Sequence, residues 1–140
     1  MRNNWFIMLL FGLLFSAGSF AAIKEDAIAP LAKQQGFFFF YSASCPHCQH
    51  FAPRLKRFSE RYGFKVLAIS VDGGFLPSFP DAVMNDGQAK VFDVTILPAL
   101  FLVNPDTQKA ALVNEGTIDE AELTRRLLKI SRMQAEGSSS

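Results

Sequence analysis

The run Gly36-Phe37-Phe38-Phe39-Phe40-Tyr41 constrains this chain more than any other stretch, because it is apolar at every position after the glycine. Such a run suits a strand covered on both faces, and not a half-exposed strand, which would alternate. Immediately behind it stand Cys45-Pro46-His47-Cys48, containing the only two cysteines of the 140-residue sequence. The next residues carry helical spacing: Cys48, Phe51, Ala52, Leu55, Phe58 and Tyr62 fall on one side at a 3.6-residue period. The first cysteine is thus expected at a helix N-terminus, where unpaired N–H groups and the helix dipole favour a thiolate. A thiolate is the species that attacks a disulfide, so the pair predicts thiol–disulfide exchange with Cys45 as attacker and Cys48 as resolver.

The N-terminus reads separately. Arg2 precedes an apolar segment from Trp5 to Phe15, interrupted by Gly12, and Ser19-Phe20-Ala21 supplies small cleavage-site residues. This is the pattern of a secretory signal peptide over 1–21, and it is favoured over an uncleaved anchor because Ser16, Gly18 and Ser19 weaken a membrane span. Cleavage would remove Trp5, the sole tryptophan, together with Arg2, leaving 13 basic and 13 acidic residues. That balance argues against a nucleic-acid partner. Export predicts a periplasmic location, with the membrane contacted through the signal alone, and an oxidising compartment in which disulfides persist. Two cysteines two residues apart close too short a loop for a useful staple, so their value is chemical.

The expected order is a helix over Ile23–Gln35, with Pro30 near a first turn and Gly36 as its C-terminal cap, then a strand over 36–42. A helix over Pro46–Tyr62 ends at Gly63, and Lys65–Val71 forms a second strand. Residues 72–86 read as a loop punctuated by Gly73, Gly74, Pro77 and Pro80, with Phe75, Leu76 and Phe79 covering the core. A short helix over Gln88–Phe92 precedes strands Ala99–Val103 and Lys109–Asn114, joined through the turn Asn104-Pro105-Asp106-Thr107. Thr117 and Glu120 form a capping box for a last helix through Arg132. This predicts one α/β domain over 22–136, a mixed sheet of four or five strands with helices on both faces, and a flexible tail over 137–140.

Strand, Cys-x-x-Cys, helix and a later proline opening a strand together resemble the thioredoxin-like fold. Cys45 to Pro53 resembles the active-site helix of that family, with Pro53 matching its helix-kinking proline. Val94 to Val103 resembles the segment carrying its cis-proline, which implies a cis Leu97–Pro98 bond and a substrate-binding role for Leu97 and Pro98. Within the superfamily, Phe58 to Phe64, Ser70-Val71-Asp72-Gly73 and Pro98 to Val103 resemble the TrbB/TraF-type proteins of conjugative transfer. The resemblance implies an isomerase or oxidoreductase of exported, cysteine-containing proteins in pilus assembly, served by a redox recycling partner and needing no cofactor. A reductase, as in cytochrome maturation, and a non-catalytic binding module or chaperone are the alternatives. Pro46-His47 is the dipeptide of DsbA-type enzymes, and His47 when protonated adds positive charge beside Cys45. About fifty residues separate Cys48 from Pro98, too few for the DsbA helical insertion. Phe39 stands where thioredoxins carry a buried acid, so proton transfer at Cys48 needs water or another group.

A metal site is not expected. His50 lies across the helix from Cys48, so Cys45, His47, Cys48 and His50 cannot converge on one tetrahedron. Haem attachment would require histidine where Gln49 stands. The stripe His50, Arg54, Arg57 and Arg61 reads as a solvated face.

Overall fold

A computed structural model describes residues 19–138, with side chains from residue 27 onward. The signal-peptide segment therefore lies outside the described residues apart from its last three. Among the described residues no helix is long and apolar enough to cross a membrane.

The chain runs α1 (Ser19–Gln34), β1 (Gly36–Tyr41), α2 (Pro46–Tyr62), β2 (Val66–Ser70), β3 (Val83–Met84), α3 (Gln88–Val91), β4 (Ala99–Asn104), β5 (Lys109–Glu115) and α4 (Glu120–Ser138). The five strands form one sheet in the order β3-β2-β1-β4-β5, so the phenylalanine-rich β1 lies at its centre. β1 pairs in parallel with β2, Phe37 opposite Val66 and Tyr41 opposite Ser70, and antiparallel with β4. β4 and β5 form the expected hairpin, with a register shift at Leu100/Phe101. Its turn is held by Asn104 Oδ1, which accepts from the N–H groups of Asp106 (3.0 Å) and Thr107 (3.4 Å).

Alternation along β1 divides the core. Phe37, Phe39 and Tyr41 face a large cluster with Phe51, Leu55 and Phe58 of α2, Leu123 and Leu127 of α4 and Ile28 of α1. Phe40 faces a smaller cluster with Ile69, Ala99 and Phe101, covered by Phe92 at the end of α3. Because α1 packs on both α2 and α4, three helices share one face of the sheet, and the short α3, with Phe92 at its end, covers part of the other.

Several boundaries differ from expectation. Residues 72–86 are not wholly loop: Val83 and Met84 form β3, pairing with Ile69 and Ser70. Both are exposed, so no alternation marks them in the sequence. Within that segment Leu76 is buried and Phe79 packs on the core, whereas Phe75 is 55% exposed. Pro30 lies inside α1 rather than in its first turn, and its own ring is exposed. Gly36 opens β1 instead of capping α1, and its lack of a side chain has another cause. A Cβ there would stand 2.9 Å from the Lys65 carbonyl oxygen, which accepts from the Phe37 N–H at 2.8 Å.

The cap of α4 is Asp119, not Thr117: its Oδ1 accepts from the Glu122 N–H at 2.8 Å. The helix continues past Arg132 to Ser138, so Gly137 and Ser138 are helical. Its last turns gain a tertiary partner there, for Gln134 and Gln35 exchange side-chain hydrogen bonds of 2.8 and 3.2 Å.

Candidate active site

Cys45 is the N-cap of α2, with extended backbone (φ −82°, ψ 119°), and Pro46 occupies the first helical turn, where its missing N–H costs nothing. The Cys45 Sγ takes the place that a serine or aspartate oxygen usually fills, accepting from the Cys48 N–H at 3.4 Å. Cys45 is partly exposed and Cys48, one turn on, is fully buried; both are free thiols. Burial pushes the Cys48 thiol up to about 12, reinforced by the Cys45 side chain and opposed by the Ser42 backbone N–H. His47 and Pro46 are exposed beside the pair.

The Leu97–Pro98 peptide bond is cis. Pro98 is buried, and its carbonyl accepts from the Gly116 N–H at 2.8 Å, which ties the start of β4 to the end of β5. Leu97 is half-buried and packs, like Cys45, against the large core cluster. Phe39, six residues before Cys45, is fully buried between Tyr41, Phe51 and Phe79, so aromatic rings fill the space that an acid would need. His50 and Arg57 are exposed on the outer side of α2, and Arg61 pairs with Glu120 at 3.1 Å. Among the described residues no three His, Cys, Asp or Glu side chains are grouped to hold a metal.

One residue at the site escaped sequence reasoning. Asp72, just past the end of β2, accepts from the N–H groups of Ala43 (3.1 Å) and Ser44 (3.3 Å) and from the Ser42 hydroxyl (2.8 Å). Its own Gly74 N–H adds a fourth bond at 3.0 Å. These donors, the Ala43 N–H foremost, hold the carboxyl well below the usual carboxylate range. The parallel register, Tyr41 beside Ser70, brings the two strand ends together. The available signal was the carboxyl end of a parallel strand, where open α/β sheets place their sites.

A sequence model of the family described as "TraF: F plasmid transfer operon protein" matches residues 20–128. The chain belongs to the TraF family. It is 34% identical to Protein TraF of Escherichia coli K12 over 110 residues, covering 79% of this chain and 44% of that relative. It is 33% identical to Protein TrbB of the same organism over 98 residues, covering 67% of this chain and 54% of TrbB. This TraF-family chain thus spans about half the length of the curated relatives it matches. Among solved structures, a thiol:disulfide interchange protein DsbE from Chlorobium tepidum aligns with a TM-score of 0.57 at 19% identity, over 72% of this chain and 82% of the other. The lipoprotein thioredoxin Etrx1 of Streptococcus pneumoniae aligns with a TM-score of 0.55 at 12% identity, over 73% and 89%. The thioredoxin-like fold of the TraF-family chain is established by both.

Proposed function

We propose that this chain is a thiol–disulfide oxidoreductase of the isomerase type, acting in the periplasm on exported, cysteine-containing proteins of a conjugative transfer apparatus. The inequality of the two thiols carries this reading: a partly exposed Cys45 at a helix N-terminus, and a buried Cys48 held near 12. The Cys45 thiolate attacks one sulfur of a substrate disulfide, forming a mixed disulfide and releasing the other sulfur as a thiolate. Two exits follow. In reduction Cys48 loses its proton and displaces the substrate, leaving the Cys45–Cys48 disulfide, which a recycling partner must reduce. In isomerisation the freed substrate thiolate attacks a further disulfide of the same molecule, and the last substrate thiolate displaces Cys45, with no net electron transfer.

Burial favours the second exit. A thiol pushed up to about 12 stays protonated at neutral pH. Desolvation, the largest cause, persists in the mixed disulfide, and Phe39 offers no carboxylate to take the proton. A long-lived mixed disulfide gives the substrate time to resolve itself. The cis-Pro98 segment, with Leu97 packed beside the same core, fits the role of an extended-peptide platform.

A scrambled-disulfide substrate tests this. Cys45→Ala should abolish refolding activity and pilus assembly, whereas Cys48→Ala should retain most isomerisation and lose reduction. Full complementation of assembly by Cys45→Ala would leave a binding or chaperone role in place of catalysis.

A further inference from the structure

We infer that Asp72 is a positioning residue of the redox site: its carboxylate sets the Ser42-Ala43-Ser44 turn, and through that turn the placement of both thiols. The inference rests on the thiol chemistry proposed above.

The turn between β1 and α2 has no strand or helix to hold it. Its Ala43 and Ser44 N–H groups and its Ser42 hydroxyl go to one acceptor side chain, supplied from the end of β2. The Ser44 hydroxyl is 3.0 Å from that of Ser42, which extends the network. What the turn presents in return bears on the sulfurs. The Ser42 carbonyl accepts the Cys45 N–H at 3.1 Å, fixing the entry to the N-cap. The Ala43 carbonyl accepts from Gln49 Nε2 at 2.7 Å, locking the first turn of α2 that carries Cys48.

The Asp72 side is equally braced. Its Oδ1 also takes the Gly74 N–H, and the Gly74 carbonyl accepts from Ser70 Oγ (2.6 Å) and Tyr41 Oη (3.0 Å). Gly74 lies so close to the turn that a Cβ would stand 2.5 Å from the Ala43 Cβ. Two loops that are adjacent only because β1 and β2 run parallel are therefore joined through one carboxylate. A charge-assisted acceptor suits this, since it takes several N–H and O–H bonds at once where a neutral amide takes fewer.

Asp72→Ala and Asp72→Asn in the full chain separate geometry from charge. Asparagine keeps an acceptor for the Ala43 and Gly74 N–H groups and offers an amide to Ser42 Oγ while removing the charge. Three measurements apply to each: amide exchange at Ala43 and Ser44, the equilibrium with glutathione, and thermal stability. We expect Asp72→Ala to lose protection at Ala43 and Ser44 and to shift the glutathione equilibrium by at least about tenfold in a folded protein. Asp72→Asn should keep the Ala43 protection and remain within about threefold of wild type. An alanine variant with the wild-type equilibrium overturns the inference, as does an asparagine variant shifted as far as alanine, which would assign the effect to charge. If the alanine variant does not fold, the asparagine variant decides alone: protection with a near-native equilibrium supports positioning, and protection with a tenfold shift refutes it. Failure of the thiol chemistry itself would show separately, as wild-type protein that does not equilibrate with glutathione while its Ala43 and Ser44 amides remain protected.

Discussion

At the scale of single residues, the two cysteines differ by burial more than by chemistry. Iodoacetamide at pH 8 should modify Cys45 in the folded protein and reach Cys48 only after unfolding, which mass spectrometry of the labelled peptides would resolve. The same burial links stability to alkaline pH. The folded Cys48 thiol, near 12, lies above its ordinary value of 9.0, so its contribution is complete below about pH 9 and is lost as pH rises toward 12. The unfolding free energy from urea titrations between pH 8 and 11 should fall by about 1.4 kcal/mol per pH unit once pH exceeds 9, and Cys48→Ala should remove that slope. Gly74 is constrained by a neighbour instead. Adding a methyl against the Ala43 Cβ should cost about 1–3 kcal/mol and should disturb the turn before Cys45, readable as a Tm loss together with altered Cys45 alkylation.

Elements end where a local group satisfies their termini. α2 begins with a sulfur as its cap and closes at Gly63, whose φ of 85° is left-handed and whose N–H bonds the Ser59 carbonyl at 2.8 Å. α4 begins at Asp119, although the sequence pairs Thr117 with Glu120 in a pattern that would serve equally well by spacing. Asp119→Ala should therefore cost about 1 kcal/mol in chemical denaturation, and Thr117→Ala close to nothing. The misreading has a physical source: candidate caps two residues apart present similar chemistry, and the path of the chain out of β5 selects between them. The strands were legible where they are buried. β1, β2 and β4 are present within a residue or so of their expected bounds, because packing demands apolar runs there, and β5, exposed at four of its seven positions, was marked instead by the turn before it. The two exposed residues of β3 obey no such demand.

For the whole molecule, the uneven cover of the sheet matters most. Three helices close one face over the large cluster, and α3 closes only part of the other. Leu102, fully buried in the large cluster, and Leu67, 38% exposed, test the difference. Leu102→Ala should lose about 2–5 kcal/mol in urea unfolding, and Leu67→Ala about 1 kcal/mol or less, because solvent already reaches it.

Local patterns in the chain were enough to reveal the buried strand, the cysteine pair at the head of a helix, the proline that opens β4 and the family these features resemble. Each is a local pattern whose spacing reports on burial or on a helix end. Tertiary structure alone decided that Asp72, twenty-seven positions beyond Cys45, holds the turn in front of it. It likewise decided that Val83 and Met84 extend the sheet and that Gln134 ties the last helix back to Gln35. Hydrogen bonds between distant segments leave no periodicity behind, so they become visible only when the strands that carry them lie side by side.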